Sequence, residues 1–409
     1  MNKGLKPLFN NSTPPTTKTK NIYLISFYIS RKIRFYKGDF NMKLICNKQR
    51  LYEALINVSK AAADKSAIPA LEGIKFSLSD STLWLTGYDL EIGIKTSLDV
   101  ISADKQDIVV NSRLFSEIIK KMPTDEIDIE VNENMVMTIK GGITEYTISV
   151  ISADEYPGIP DFYTDSRITV PQSVLKEMIN QSIFAVSQND TKPILKGELF
   201  EIKDNELNIV AIDGFRLAVR TEAVKSENDF KFVVPSKTLN EVSRLLKDDD
   251  DLSCDILVSK KQVVFDFSGY TVFSRLLEGE FHNYRGSIPN TSVTEVVIDK
   301  KELISCLERA SLLINEKIKS PVRCMFDNGA LKLSCQTAIG KIFDEITADI
   351  SGPKIEIGFN CKYLLDPLKV IPDERIKLLM NGGNLPMKIV PINSSEYTYL
   401  VLPVRLKNE

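Results

Sequence analysis

The chain has one histidine, His282, in 409 residues. A single imidazole excludes a multi-histidine metal centre, and no second histidine exists for a histidine-based acid–base pair. Its string, Gly279-Glu280-Phe281-His282-Asn283-Tyr284, reads as a structural turn. Neither the phosphate-cradling pattern G-x-x-x-x-G-K-[ST] nor the dinucleotide pattern G-x-G-x-x-G occurs. The run Asp248-Asp249-Asp250-Asp251 lacks the alternating ligand spacing of a calcium loop and reads as a solvated connection. Asp89 and Asp213 lie in similar strings, which suggests one structural turn used twice, not a shared metal site. Six scattered cysteines with no C-x-x-C pair read as reduced core thiols of a cytoplasmic protein. The expectation is no catalytic residue, no metal site and no cofactor.

The elements that carry these residues repeat. The phrase Leu44-Ile45-Cys46 then Arg50-Leu51-Tyr52-Glu53-Ala54-Leu55 recurs as Ile168-Thr169-Val170 then Val174-Leu175-Lys176-Glu177-Met178-Ile179. It recurs again as Val296-Val297-Ile298 then Glu302-Leu303-Ile304-Ser305-Cys306-Leu307. The spacing of roughly 125 residues is one domain, not one solenoid repeat. Each copy is doubled inside itself. The second halves open at Ile108-Val109-Val110-Asn111, at Phe232-Val233-Val234-Pro235-Ser236 and at Ile355-Glu356-Ile357-Gly358-Phe359-Asn360. Each is an apolar run meeting a polar, capping-type residue, and a short helix with one apolar face follows. Alternating strands then follow: residues 127–131, Gln262–Phe267 and residues 376–380. The chain therefore reads as α+β, with six β-α-β-β-β units, two in each of three similar domains. The strands lie too close together for a parallel, doubly wound sheet.

Bulk composition fits a globular chain: 43% hydrophobic and 26% charged residues. No apolar stretch approaches the ~20 residues of a membrane helix. Residues 1–41 stand outside the repeat. They hold eight Lys/Arg and one acid, which leaves residues 42–409 at −10 against −3 for the whole chain. Such a leader can be a transit peptide. The preferred expectation is that Met42 is the real initiator and that residues 1–41 come from a start set too early, because Lys37-Gly38-Asp39 can be encoded as a purine-rich ribosome-binding sequence just before Met42. The expected divisions are 1–41 leader, 42–164, 165–291 and 292–409.

From Met42 onward the chain resembles the bacterial sliding clamp, the beta subunit of DNA polymerase III. The carriers are Leu85-Thr86-Gly87-Tyr88-Asp89-Leu90-Glu91, Ala211-Ile212-Asp213-Gly214-Phe215-Arg216-Leu217-Ala218-Val219, Gly279 to Arg285, Asn315-Glu316-Lys317 and Leu402-Pro403-Val404-Arg405-Leu406, in this order and with the threefold repeat. The resemblance implies a DNA clamp fold: a head-to-tail homodimer forming a six-domain ring around duplex DNA, helices lining the hole and antiparallel sheets outside. It implies a non-catalytic processivity factor in DNA replication that a catalogue would place under DNA-directed DNA polymerase. Its partners would be double-stranded DNA, the polymerase III alpha subunit, the clamp loader and other clamp-motif proteins, with no membrane. An acidic total charge suits a ring with a basic inner face and weak, sequence-neutral phosphate contacts.

The resemblance also assigns residues. Cations on or beside the helices would face DNA, Lys65, Lys192, Lys196, Arg113, Lys120, Lys237, Arg244 and Lys317 among them, and Lys65 and Lys192 match family DNA-contact positions. Lys65 and Lys192 stand where the family usually has Arg, which keeps the charge but loses the planar fork. A peptide-binding cleft between the second and third domains would comprise Leu195, Ile212, Gly214, Phe215, Arg216, Leu217, Pro289, Tyr363, Leu400, Val401, Leu402, Pro403, Val404, Arg405 and Leu406. Its apolar pockets would take Leu or Phe anchors, with Arg216 and Arg405 at the rim. Tyr146, Ile148, Leu312 and Leu313 would close the dimer. The sequence departs from the pattern at Phe215, where an imidazole or phenol can occur, and at the extra Lys407-Asn408-Glu409. A clamp paralogue serving repair or a plasmid is the alternative. A catalytic polymerase or nuclease subunit would need clustered carboxylates beside a basic cleft, and the sequence offers none.

Overall fold

A computed structural model describes residues 40–102, 104–159, 162–189, 191–314 and 320–406. The leader to residue 39, Lys317 and residues 407–409 lie outside the described residues.

Six β-α-β-β-β units follow one another. The first domain comprises β1 (Phe40–Asn47), α1 (Lys48–Val58), β2 (Gly73–Ser79), β3 (Thr82–Tyr88) and β4 (Ile92–Asp99), then β5 (Lys105–Asn111), α2 (Ser112–Lys121), β6 (Glu126–Asn132), β7 (Val136–Gly141) and β8 (Thr144–Ser149), with a short β9 (Ile151–Ser152) after them. The central domain repeats this as β10 (Ser166–Pro171), α3 (Gln172–Asn180), β11 (Gly197–Lys203), β12 (Glu206–Ile212) and β13 (Arg216–Ala223), then β14 (Phe230–Pro235), α4 (Ser236–Leu245), β15 (Ser253–Val258), β16 (Gln262–Phe267) and β17 (Tyr270–Arg275). The third has β18 (Thr294–Asp299), α5 (Lys300–Ser311), β19 (Val322–Asp327), β20 (Ala330–Thr337) and β21 (Gly340–Ser351), then β22 (Ile355–Phe359), α6 (Cys361–Val370), β23 (Arg375–Met380), β24 (Met387–Val390) and β25 (Tyr397–Val401).

The leading strand of each unit crosses into the sheet of its sister unit. Thus β1 pairs with β6 and β5 with β2, β10 with β15 and β14 with β11, β18 with β23 and β22 with β19, all antiparallel. This exchange stitches two units into one domain, and the two helices of each domain pack on one another. Asn47, Asn111, Asp299 and Asn360 cap their helices by accepting a backbone N–H. α3 and α4 follow Pro171 and Pro235 with no side-chain cap. The expectation of a polar cap at the opening of α4 therefore fails: Ser236 lies inside the helix, and proline supplies the fixed φ that an entry needs.

Leu51 and Leu55 of α1, Leu175 and Ile179 of α3 and Leu307 of α5 are fully buried against the sheets. Each such side chain contributes about 1.5–3 kcal/mol on burial. All six cysteines are buried free thiols, as their scatter suggests.

Sheets continue across domain boundaries. β4 pairs with β17, from Tyr270↔Thr96 to Ser274↔Ile92. β13 pairs with β25, from Arg216↔Val401 to Arg220↔Tyr397. The same two positions of the repeat thus meet at both seams. Their third instance is unfilled among the described residues: β8 ends the sheet β1-β6-β7-β8, and residues 340–347 of β21 pair there only with β20.

Candidate functional site

The cleft region straddles the seam between β13 and β25. Asp213 builds its entrance. Its carboxylate accepts from the N–H of Phe215 at 2.8 Å and of Arg216 at 3.0 Å. Asp89 makes the same turn with Glu91 and Ile92 in the first domain, at 2.9 and 2.8 Å. The turn needs a left-handed residue at its second position, which is Gly214 (φ +90) here and Leu90 (φ +76) there. The two aspartates are therefore structural, as their strings suggest.

The turn lifts Phe215 into solvent, 58% exposed, where its ring stacks on Tyr363 of α6 with centroids 5.9 Å apart. Burial pushes the Tyr363 phenol up, and the neighbouring Asp213 carboxylate adds to the shift. Behind the turn lie Ile212, Leu217 and Leu400, all buried, with Leu217 directly opposite Leu400 across the seam. They join Leu199, Val210, Val219, Val233 and Tyr284 in one apolar cluster, covered in part by Ile194, Leu277, Phe281 and Ile288. Leu195 is buried on the short turn before β11. Val401 points the other way, into the third-domain core. Pro289 is half-buried, and its carbonyl accepts from Lys388 at 3.0 Å.

The chain end crosses this region. Leu402 N–H donates to the Phe215 carbonyl at 2.9 Å, and Val404 N–H to the Gly358 carbonyl at 2.8 Å. Gly358 allows the crossing: a Cβ there would meet Leu406 at 2.6 Å and the Val404 carbonyl at 2.7 Å. Leu402 and Val404 stay about 40% exposed, Pro403 and Leu406 are half-buried and Arg405 is exposed. These apolar groups stand open beside a buried apolar floor, a surface suited to peptide anchors.

Arg216 differs from the expectation of a rim cation. Only 8% of it is exposed. Its guanidinium donates to Asp213 at 2.9 Å, to Asp366 of α6 and to the Phe184 carbonyl, and lies 4.6 Å from the Tyr363 ring centre. It therefore ties the central and third domains together. Each of its three nitrogens thus donates inside the protein, so the exposed Arg405 is the cation left to the rim.

The helices carry the basic charge: thirteen Lys/Arg against seven acids, net +6, in a chain of net −3. Of the expected DNA contacts, Lys65, Lys192 and Arg113 are exposed, and Lys196 is half-buried. Lys120 and Arg244 pair with acids one turn away, Glu117 and Glu241, contacts worth little at a surface. Lys237 instead reaches Asp89 across the seam between the first and central domains. Lys317 lies outside the described residues.

At the free edges, Tyr146 of β8 is 38% exposed and Ile148 is half-buried. Leu312 is 80% exposed, and Leu313 lies against Gly340 at the start of β21. The sequence reading missed Ile143, Ile339 and Phe343, all strongly exposed at these two ends. Among the described residues no cluster of His, Cys, Asp or Glu gathers as a metal site, and no helix is long and apolar enough to cross a membrane.

Three family models match the chain in order: the N-terminal, central and C-terminal domains of the DNA polymerase III beta subunit, over residues 42–160, 169–283 and 285–405. The chain belongs to the DNA polymerase III beta subunit family. The beta sliding clamp of Bacillus subtilis is 35% identical over 377 residues, covering 89% of this chain and 100% of that protein. That of Halalkalibacterium halodurans is 33% identical over 379 residues, with 89% and 100% coverage. The crystal structure of the Bacillus subtilis DNA polymerase sliding clamp superposes with a TM-score of 0.87 at 34% identity, covering 90% of this chain and all of that one. A beta subunit from Eubacterium rectale gives 0.86 at 34% identity, with 89% and 100% coverage. The fold is the three-domain DNA clamp fold of this family. The ring is not closed within a single chain.

Proposed function

We propose that this chain is a DNA sliding clamp: a non-catalytic ring that encircles duplex DNA and tethers the replicative polymerase in the cytoplasm. The observation that carries the reading is the unfilled third seam. Strand edges left bare are a liability that proteins cover. Here the bare edges of β8 and β21 are the counterparts of edges that pair twice inside the chain. Two copies head to tail fill both vacancies and close six domains into a ring. The net +6 on the helices, with Arg113, Lys120 and Arg244 among its cations, supports an inner face of weak phosphate contacts, to which Lys65, Lys192, Lys196 and Lys317, outside those helices, would add. In this reading the domains divide at residues 42–164, 165–291 and 292–409. The cleft from Leu195 to Leu406 receives linear motifs of the polymerase III alpha subunit, the clamp loader and other partners.

Both filled seams give one register for the third. Tyr146 occupies the place of Val272 and Tyr399, and Ile342 that of Ile94 and Ala218, so Tyr146 lies opposite Ile342 of a second copy. Thr144 then faces Asp344, and Ile148 faces Gly340. The seam bonds Arg275 N–H to Glu91 and Leu402 N–H to Phe215 make the Tyr146–Ile342 position a non-hydrogen-bonded pair, with side chains close together. Such a pair suits a disulfide. Tyr146→Cys with Ile342→Cys is expected to oxidise to a covalent dimer that denaturing electrophoresis resolves, with neither single variant doing so. A monomer after oxidation, or cross-linking only with the pair shifted along the strand, contradicts the register.

A further inference from the structure

The three domains differ at one joint. In each, the leading strand has a second edge that faces the residues following, or ending, the fourth strand of the same unit. In the third domain this joint is zipped: β18 pairs with the end of β21 from Glu295↔Ser351 to Ile298↔Ala348. In the first it is one bridge, with reciprocal hydrogen bonds of 3.0 and 2.9 Å between Ile45 and Ile101. In the central domain β10 ends its sheet and has no neighbour on that side among the described residues. Equivalence is fixed by the bonds Val100 N–H to Ser81 and Val224 N–H to Asn205, which place Lys225 where Ile101 stands. Instead of a bridge there is a groove of about 880 Å³, with Ile168, Val170, Val174, Val224 and Phe230 among its lining.

The groove has a backbone edge to offer. Gln172 N–H donates to the Leu252 carbonyl at 2.8 Å, which sets the alternation of the β10–β15 ladder. Arg167 and Thr169 therefore turn their own N–H and C=O groups toward the groove. Their side chains are held back by Asp255, at 2.7 Å each.

We propose that this groove takes an extended peptide strand from a partner protein, added antiparallel to β10. The two filled joints show what fits. In the third domain the strand buries Ala348 and half-buries Ile350 while Asp349 and Ser351 stay exposed, so apolar and polar residues alternate. Charge narrows the choice. Arg167 is taken by Asp255 and Glu222 by Arg220, which leaves exposed Asp165 and Glu227 against Lys225. A basic strand is favoured.

The probe is a synthetic peptide of residues 345–351 carrying Glu345→Lys and Asp349→Lys, added to the whole protein, with amide hydrogen exchange as the readout. The expected result is binding at or below about 1 mM, with exchange at Thr169 and Arg167 slowed at least tenfold. N-methylation of the peptide amides at positions 349 and 351 is expected to abolish it, as is Thr169→Pro in the protein, an edge-strand change that spares the β15 ladder. The peptide control stands even if that variant does not fold. No binding, binding unaffected by N-methylation, or exchange at Thr169 already slow without peptide (closure by residues 224–228) each overturns the proposal.

Discussion

At the scale of single residues, Glu198 and Arg216 are both buried ionisable groups, with opposite provision. Arg216 has a partner for each arm. Glu198 is fully buried on β11, and among the described residues neither carboxylate oxygen has a hydrogen-bond donor. Ser182 lies near enough to favour its charged form, but the Ser182 hydroxyl donates to the Met178 carbonyl. Burial therefore dominates and pushes the Glu198 carboxyl from 4.5 up to about 8. The unfolded chain releases this proton near 4.5, while the folded chain holds it until about 8. The folded state thus binds more protons across that window, and its stability falls as pH rises, with a slope approaching about 1.4 kcal/mol per pH unit. Glu198→Gln is expected to flatten this dependence and raise the melting temperature most at pH 8. Denaturant melts of both proteins at pH 5 and 8 check it, and parallel pH profiles contradict it.

At the scale of elements, the cleft separates exposed anchors from structural floor. Leu217 is 4% exposed and packs on Leu400, so Leu217→Ala loses stability, about 2–5 kcal/mol, as well as any affinity. Leu402 is the cleaner probe because it is partly exposed and its N–H bond to Phe215 survives truncation. Leu402→Ala is expected to weaken a polymerase-derived clamp-motif peptide at least tenfold by calorimetry, with no change in melting. On the helix side, Lys65→Glu is expected to weaken binding to a short linear duplex and lower its salt slope by about 1.

Much of this scale was legible beforehand. Apolar spacing in Leu51-Leu55 and Leu303-Leu307, and alternation in Gln262–Phe267, place the six helices and their following strands. What escaped depends on pairing between distant segments. The exchange of leading strands between units leaves no local mark. Arg216 reads as a rim cation beside an exposed Phe215 until Asp366, from another domain, meets it. Phe343 alternates like any surface strand residue, and only the missing neighbour of β21 makes it an edge. Val210 and Leu199 also escaped, although the unbroken apolar run Ile209-Val210-Ala211-Ile212 is the kind of signal that marks a strand covered on both faces.

At the scale of the whole molecule, two separate facts meet. Strand edges that pair twice within the chain are bare at its two ends, and the cations gather on the helices of an otherwise acidic chain. A ring explains both, because strand pairing closes it while the helices supply only loose phosphate contacts. The most direct test is topological. The Tyr146→Cys, Ile342→Cys protein is loaded onto nicked circular DNA by the clamp loader, oxidised, and followed by gel filtration before and after the circle is cut once. The account predicts retention on the circle at high salt and release on linearisation. Equal retention on linear DNA, or loss from the intact circle despite the cross-link, would contradict it.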